Sequence, residues 1–316
     1  MRRAIFVSIV LILSITNIAS AFWIWSPKTG KWTNPKYAAK PTPAEQLDFA
    51  LRLFEEDKLK KAEREFKKLL KQYPKSEQAA EAQYYLGAIE EKRDRLYEAY
   101  LAYQKVIDMY PFSSRIGEII EKEFRIAERF MQGEKRKAFG VVLPVENPAI
   151  EIFRKVIGNS TYGPLAAEAQ YKLGLILKSL SQFFEAEEEF NKVIKNYPQS
   201  EWVPAAKFQI ASCRASLSSD SDYDQEATHE AKERFEEFVL SHPDATISKE
   251  AERNIRELKE KEAKGYYDTA VFYEKQKAYE AAKIYYDTVI EDYPRSNWAA
   301  KASSRLEALE QKDEGR

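Results

Sequence analysis

The feature that most constrains the fold is a pattern of four residues that recurs along the chain. Each copy has a small residue, then alanine twelve positions later, an aromatic residue four after that, and proline eight further on. Four copies are complete: Ala50, Ala62, Phe66 and Pro74; Gly87, Ala99, Tyr103 and Pro111; Gly174, Ala186, Phe190 and Pro198; Ala270, Ala282, Tyr286 and Pro294. This spacing is typical of units of about 34 residues that each contain two antiparallel helices.

Each position in the pattern has a physical cause. The small residue and the alanine lie where the two helices of a pair cross, since a larger side chain there would hold the backbones apart. The aromatic residue lies one helical turn further along the same face and fills the space towards the next pair. Proline ends the second helix because it lacks an N–H group and pushes the preceding residue out of helical geometry. Serine two residues after proline is placed to cap the next helix.

Two further copies are longer. One has Ala127, Ala149 and Phe153, with the insertion "QGEKRKAFGVVLPVENP" between its helices. The other pairs Ala211 with Ala231 across the polar segment "SLSSDSDYDQEATHE", which we predict to be a surface loop. The segment from Ser248 onwards is longer than one repeat helix requires, and we predict a continuous helix at about 248–277.

The offsets resemble those of the tetratricopeptide repeat. The resemblance implies an all-α tetratricopeptide-repeat α-solenoid of about six helix pairs with a C-terminal capping helix. We place this solenoid at residues 43–312, with the capping helix at 297–312. The predicted repeats are at about 43–76, 80–113, 114–164, 167–200, 202–245 and 263–296.

Composition narrows the function classes. The formal net charge is −1, so no global field favours nucleic acid as a partner. Cys213, His229 and His242 are the only cysteine and histidines, and their spacing fits no metal site. The sequence has no phosphate-binding glycine motif. We therefore predict no catalytic residue, cofactor, metal or small-molecule substrate, and we expect a protein that is not an enzyme.

The N-terminus predicts export. Two arginines precede an apolar run of signal-peptide length, and small residues follow at 19–21. We interpret residues 1–21 as a cleaved signal peptide, with an uncleaved anchor as the alternative. Residues 22–42 form a Trp-rich segment in which Pro27 and Gly30 allow a turn that brings Trp25 near Trp32. This hairpin is expected to pack on the first repeat as a cap; contact with a membrane interface or partner is the alternative.

The whole-chain pattern resembles the outer-membrane protein assembly factor BamD family over about residues 43–310. The residues that carry this are "FEEDKLKKAEREFKKLLKQYPKSEQAAEAQYYLGAIEEKRDRLYEAYLAYQKVIDMYP" and "YYDTAVFYEKQKAYEAAKIYYDTVIEDYPRS". The resemblance implies a periplasmic subunit, peripheral to the outer membrane, that binds the barrel-forming subunit of the assembly machine and unfolded outer-membrane proteins. Members are usually lipoproteins, whereas this chain has Phe22 where the lipid-bearing cysteine would stand. Either its partners and the Trp-rich segment hold the chain at the membrane, or the chain is not a strict member of the family.

The family's substrate-facing region is the concave side of its N-terminal repeats. Repeat register then implies partner-binding positions on the first helices: Tyr84, Ala88, Glu91, Phe124 and Glu128. Packing between helices is the alternative role for Tyr84 and Phe124.

The sequence thus favours a non-enzymatic repeat scaffold of the bacterial envelope. Two other functions stay open. One is a periplasmic coordinator of cell-wall synthesis and division associated with the Tol–Pal system. The other is a non-catalytic adaptor of an envelope enzyme.

Overall fold

The computed structural model describes residues 23–26, 30–34, 38–135, 137–138, 141–142, 147–219, 225–244 and 246–314. The predicted signal peptide, residues 1–21, lies outside these ranges. The chain divides into two compact units, Met1–Ile116 and Gly117–Arg316, and each is described by itself.

The first unit holds a small hairpin and two helix pairs. Strand β1 pairs antiparallel with β2, and Trp25 lies directly opposite Trp32, as the turn prediction required. The elements are β1 (Ile24–Ser26), β2 (Lys31–Thr33), α1 (Pro43–Glu55), α2 (Leu59–Gln72), α3 (Glu77–Lys92) and α4 (Leu96–Met109).

The second unit holds the remaining helices and a second short hairpin. Strand β3 (Lys137–Ala138) pairs with β4 (Val141–Val142) inside the first insertion. The helices are α5 (Ile116–Met131), α6 (Pro148–Asn159), α7 (Ala166–Ser179), α8 (Phe183–Asn196), α9 (Trp202–Ser219), α10 (Gln225–Ser241), α11 (Ser248–Lys275), α12 (Tyr279–Asp292) and α13 (Ala299–Glu314).

The described helices thus form six consecutive pairs followed by a single final helix. The predicted class, an all-α tetratricopeptide-repeat solenoid with a capping helix, is confirmed. The predicted long helix is confirmed as α11, which runs for 28 residues without a break. None of the described helices is both long and apolar enough to cross a membrane.

Helix crossings are as close as the small residues predict. A methyl group built on Gly87 would lie 2.5 Å from the Tyr103 ring, and one on Gly174 would lie 2.6 Å from Phe190. The alanine of the second helix is fully buried in every complete repeat, as Ala62 and Ala186 illustrate. The aromatic ring therefore occupies the space that a larger side chain on the first helix would take.

The turn inside each complete pair uses the same backbone conformation. Seven residues after the small residue, φ is between 54° and 61°, in the left-handed region. The four residues are Asp57, Asp94, Ser181 and Lys277. None of the four is glycine, so a side chain makes this conformation sterically unfavourable in each turn. The conformation allows a short connection between the two helices.

Apolar cores are built from neighbouring helices. One cluster runs from Ala50 to Ile89, a second from Phe208 to Leu258, and a third from Ala263 to Leu309. Each is filled by the alanines and rings of two or three consecutive helices. Stability is therefore distributed along the chain, as expected for stacked repeats.

Two local predictions need correction. The hydroxyls of Ser113, Ser200 and Ser296 each accept a hydrogen bond from the backbone N–H group two residues further on, at or just before the start of the following helix, as predicted for caps. Ser76 does not, since its hydroxyl donates to the Tyr73 carbonyl instead.

The second correction concerns the polar segment at residues 216–230. Helix α9 continues to Ser219 and α10 begins at Gln225, so most of the predicted loop is helical. Thr228 is buried, which shows that the start of α10 packs against its neighbours despite its polar sequence.

Candidate functional site

The predicted binding residues of the first unit lie on α3 and are largely engaged in packing. Tyr84 is 7% exposed, and the Arg115 guanidinium lies 4.6 Å from its ring centre. Arg115 also bonds both carboxylate oxygens of Glu81 at 2.9 and 3.0 Å. Ala88 is partly exposed one turn along. The Tyr84 ring thus forms the floor of a small polar cluster rather than an open surface.

Glu91 has a defined partner inside its own repeat. It accepts a hydrogen bond of 2.6 Å from the Tyr103 hydroxyl. The last repeat contains the same pair at equivalent positions, with Tyr286 donating to Glu274 at 2.8 Å. There, burial and then the Glu274 carboxylate raise the pKa of Tyr286. Glu91 therefore links the two helices of its pair.

The predicted residues of the second unit form a comparable cluster on α5. Phe124 is 6% exposed, and the Lys172 ammonium lies 5.3 Å from its ring centre. Lys172 bonds Glu128 at 2.5 Å and Glu168 at 3.1 Å. Burial alone would lower the pKa of Lys172, but hydrogen bonds to the two carboxylates outweigh it, and the pKa is raised.

The structure therefore brings Phe124 and Glu128 together around Lys172, whereas in the first unit Tyr84 contacts Arg115 and Glu91 contacts Tyr103. The burial of Tyr84 and Phe124 supports helix packing for these two rings. A partner-binding role for the five residues stays a prediction.

A more open apolar surface lies in the last repeat and was not predicted as a site. It is a recess of about 820 Å³ on the side of α11 and α12 that faces the start of α10. We call it the aromatic recess. Its lining consists of Gln225, Lys264, Gly265, Tyr266, Asp268, Thr269, Phe272, Tyr273 and Tyr285.

Stacked rings form the wall of the aromatic recess. Tyr273 and Tyr285 lie nearly parallel, with ring centres 5.4 Å apart and planes 8° apart. Tyr266 lies 6.4 Å from Tyr285, and Phe272 meets Tyr273 edge to face at 5.5 Å. Phe272 is 57% exposed. The rings fix one another's orientation, so the wall presents rigid apolar faces with hydroxyl groups at their edges.

Gly265 lies at the floor of the recess. A methyl group on Gly265 would lie 1.5 Å from the Gln225 side-chain nitrogen, so the end of the Gln225 side chain would have to move to make room for it. Thr269 donates its hydroxyl to the Gly265 carbonyl at 2.8 Å, which occupies that hydroxyl within the helix. The recess consequently combines an aromatic wall with one side-chain amide.

A buried ion pair borders the recess. The Lys232 ammonium bonds both Glu262 carboxylate oxygens at 3.0 and 2.9 Å. His229 Nδ1 lies 3.0 Å from the same carboxylate, and the Tyr293 hydroxyl donates to it at 3.2 Å. Burial and then the Glu262 charge raise the pKa of Tyr293. Because these residues come from α10, α11 and the end of α12, the cluster fixes the three elements around the recess.

The sequence shows the aromatic residues of the recess, but it does not show that they are exposed. The aromatic segments "YYDTAVFY" and "IYYDTV" carried the family resemblance, and their spacing predicted packing positions. Whether such a face is covered depends on which helix lies beside it. Here the length of α11 decides that, since its first half packs on α10 and its second half on α12.

The arrangement is suited to binding rather than to catalysis. Burial raises the pKa of the Cys213 thiol to about 11, so it is not an activated nucleophile. Among the described residues, no group of histidine, cysteine and carboxylate side chains is arranged to hold a metal ion. The repeat fold is typical of non-catalytic scaffolds that bind other proteins.

Fold and surface together define a tetratricopeptide-repeat protein of the protein-binding class. Protein-family models agree: tetratricopeptide-repeat models match residues 47–114 and 168–200. A third model, described as an outer membrane lipoprotein (YfiO), matches residues 215–314. The C-terminal third, which includes the aromatic recess, is therefore similar to the BamD family.

Solved structures with similar folds are themselves repeat proteins. One is the C-terminal part of a repeat-containing protein from Cytophaga hutchinsonii, at 16% identity and a TM-score of 0.38, covering 83% of this chain and 87% of that one. Another is a tetratricopeptide-repeat protein from Parabacteroides merdae, at 15% identity and a TM-score of 0.35, covering 84% and 98%. No curated protein matches the chain.

Proposed function

We propose that this protein is a BamD-like subunit of the machinery that assembles β-barrel proteins in the bacterial outer membrane. In this role it is a scaffold without catalytic activity that binds the barrel-forming subunit, unfolded outer-membrane proteins, or both. It acts in the periplasm, peripheral to the outer membrane, after removal of residues 1–21.

One observation carries the proposal. The segment similar to the outer membrane lipoprotein family, residues 215–314, contains the whole aromatic recess. An open aromatic surface of the repeats therefore lies in the part of the chain that resembles the outer membrane lipoprotein family.

The recess suits an apolar side chain presented by another protein. Large rigid rings give much contact area with little loss of conformational entropy, which is why aromatic residues dominate the energetics of protein interfaces. Tyrosine hydroxyls and the Gln225 amide can then bond the backbone of the bound segment. We propose Phe272 as the central contact, because its ring is both exposed and held by Tyr273.

The first-helix residues form the second proposed contact region. Tyr84, Ala88 and Glu91 would act in the first unit, and Phe124 and Glu128 in the second. Since the two rings are buried, we propose that they support the cations above them, and that Ala88 and the carboxylates meet the partner.

Phe272→Ser tests the proposed function with little risk to folding, because the side chain is largely exposed. Phe184→Ser is the matched control, since Phe184 is 66% exposed on α8, outside the recess. Each variant is expressed from the native locus, and envelopes are solubilised in mild detergent for co-purification. We expect Phe272→Ser to reduce recovery of the barrel-forming subunit at least tenfold, in the range of an interface hot spot, whereas Phe184→Ser leaves recovery unchanged.

The identity of the captured protein decides between the open functions. Recovery of the barrel-forming subunit supports the assembly role. Recovery of a Tol–Pal component or of an envelope enzyme, with the barrel-forming subunit absent, would replace it with one of the two alternatives from the sequence. Equal recovery with both serine variants would show that the recess is not the contact.

A further inference from the structure

The N-terminal hairpin exposes an unusual amount of aromatic surface. Trp23, Trp25 and Trp32 are 57%, 47% and 62% exposed, and Ile24 is 47% exposed. The Trp25 and Trp32 rings lie 5.8 Å apart, so they contact each other without burying each other. These side chains are therefore not buried beneath the first repeat, and packing of the hairpin on that repeat as a cap stays a prediction.

The other two tryptophans behave differently. Trp202 stacks on Tyr171 with ring centres 5.0 Å apart, and Trp298 lies 5.1 Å from Tyr267. The high exposure of Trp23, Trp25 and Trp32 is thus specific to the hairpin, because the two tryptophans of the repeats stack on or lie beside tyrosine rings. Trp23 stands two positions before Trp25, the spacing that places side chains on one face of a strand. Clustered exposed aromatic residues of this kind mark a surface that binds another protein or a membrane.

The charge of the N-terminal segment indicates what this surface binds. Residues 22–44 contain four lysines and no acidic residue, whereas residues 45–316 contain 44 basic and 51 acidic residues. The four lysines are Lys28, Lys31, Lys36 and Lys40, and the Lys40 ammonium lies over the Phe49 ring at 4.6 Å. A short basic, tryptophan-rich segment on an otherwise acidic chain is complementary to an anionic lipid surface.

The segment that follows the hairpin is fixed to the first repeat. The Tyr73 hydroxyl donates to the carbonyls of Lys40 and Pro41 at 2.7 and 3.1 Å. The Lys40 N–H donates to the Gln46 side-chain oxygen at 2.8 Å. Because these bonds begin only a few residues after Thr33, a hairpin held at a surface would hold the first repeat beside that surface.

We propose that this hairpin binds the interface of an anionic phospholipid membrane. The indole rings lie at the level of the lipid headgroups, where tryptophan is enriched in membrane proteins. The excess of basic residues in 22–44 favours lipids with anionic headgroups. A two-stranded hairpin is marginally stable in water by itself, so the lipid interface also stabilises its paired strands. The proposal concerns Trp23 and the described strands β1 and β2, and it does not depend on the function proposed above.

Vesicle binding tests the proposal directly. The full chain is produced with a protease site inserted after Ala21, folded, and then cleaved, so that the leader is removed only after folding. Equal helical circular dichroism before and after cleavage confirms that the repeats persist. Co-sedimentation is measured with phosphatidylcholine vesicles and with vesicles that also contain phosphatidylglycerol. We expect binding to be clearly stronger on the anionic vesicles.

Two triple variants separate the contributions of rings and charges. Replacement of the tryptophans removes binding to both kinds of vesicle; it consists of Trp23→Ser, Trp25→Ser and Trp32→Ser. The second triple variant replaces the lysines and consists of Lys28→Gln, Lys31→Gln and Lys36→Gln. It is expected to weaken binding to anionic vesicles about a hundredfold, at about fivefold per lysine. The weaker binding to neutral vesicles should stay unchanged.

Control variants use exposed residues outside the hairpin. The apolar control is Phe112→Ser, Phe184→Ser and Leu240→Ser. The basic control, on α2 and just after it, is Lys60→Gln, Lys71→Gln and Lys75→Gln. Both controls are expected to bind vesicles as the parent does.

A second measurement uses the same cleaved chain. Trp202→Phe and Trp298→Phe leave only the hairpin tryptophans, and quenching of their emission by brominated phospholipid reports contact with lipid. Strong quenching supports the proposal. Absence of quenching, absence of vesicle binding, or equal losses in the hairpin and control variants would overturn it. Loss of a co-purifying protein with unchanged vesicle binding would show that the hairpin binds a protein instead.

Discussion

At the scale of single residues, the closest helix crossings depend on the absence of one methyl group. In the second pair, the Tyr103 ring fills the space above Gly87, and in the fourth the Phe190 ring does so above Gly174. The first and last pairs have alanine at the equivalent positions, Ala50 and Ala270, and both are fully buried. The exact depth of each ring therefore decides whether a methyl group fits.

This contrast predicts the effect of Gly87→Ala. The added methyl would lie 2.5 Å from the Tyr103 ring, and displacing the ring is expected to lower the free energy of unfolding by about 1–3 kcal/mol. Gly158→Ala, in α6, is the control because nothing lies within 4 Å of the added group. That control should stabilise the protein by up to about 1 kcal/mol. Urea denaturation of both variants measures the difference, and equal effects would show that the ring has room to move.

The single thiol provides a second test. Burial is the main cause that raises the pKa of Cys213 from its ordinary value of 9.0 to about 11. Two pH units correspond to about a hundredfold less thiolate at neutral pH. Native protein should therefore react with a thiol reagent at least about a hundredfold more slowly than urea-unfolded protein at pH 8. Similar rates in the two states would show that α9 opens readily.

The same thiol has a defined effect on stability. Because folding raises its pKa, the folded state favours the neutral form. The resulting stabilisation is complete below pH 9, where the unfolded thiol is neutral, and is lost as the pH rises towards about 11.

Residue types at helix crossings could be predicted from the sequence because spacing alone defines them. The role of Ser76 could not be predicted, because a serine hydroxyl at this position can either accept a hydrogen bond from the next helix or donate one to the preceding carbonyl. The role of Glu91 was missed for a related reason. Its partner, Tyr103, lies twelve residues away on the facing helix, and pairing depends on side-chain reach rather than on sequence distance.

At the scale of elements, the buried Glu262 carboxylate connects α11 to its neighbours. Its side chain is 3% exposed and receives bonds from α10 and from Tyr293 at the end of α12. Removing one member of a buried pair leaves the other charge without compensation, which costs far more than the pair itself contributes.

Glu262→Ala is therefore expected to lower the free energy of unfolding by about 3–5 kcal/mol. Glu236→Ala is the control, since the Glu236–Lys259 pair joins the same two helices at 2.8 Å but is exposed, and its loss should cost less than about 1 kcal/mol. Chemical denaturation provides the measurement. The double variant Lys232→Met, Glu262→Met should recover most of the loss; if it is as unstable as Glu262→Ala, the ion pair itself is required.

Elements could be predicted to different extents. The continuous helix at 248–275 and the Trp25–Trp32 hairpin followed from local signals, namely an unbroken helical pattern and turn-forming residues. The helical ends of the segment 216–230 did not, because tertiary packing of Thr228 overrides a polar, serine-rich sequence. The aromatic recess was missed because exposure depends on which neighbours are absent, and a repeat pattern describes only those present.

At the scale of the whole molecule, cores made only from neighbouring helices predict local unfolding. The cluster of the first unit and that of the last repeat contain no residue in common. In stacked repeats, stability is a sum of local terms, and segments can open separately.

Phe66→Ala tests this locality. Phe66 is fully buried in the cluster of the first unit, and its loss should cost about 3–5 kcal/mol. Hydrogen exchange followed by mass spectrometry should show faster exchange in residues 43–92 and unchanged exchange in residues 263–309. Faster exchange in both segments would mean that the chain unfolds as one cooperative body.

The unbroken length of α11 also limits how this protein can change during evolution. Its 28 residues span about 42 Å, and each added residue would rotate everything after it by about 100°. A single insertion between Leu258 and Glu262 would therefore turn the Tyr273 and Phe272 side of the last repeat away from α10 and separate Glu262 from Lys232. Insertions of seven residues, which nearly restore the angular phase, would keep the orientation while adding about 10 Å. Length variation among related chains should accordingly occur in such steps or in the connections outside this helix.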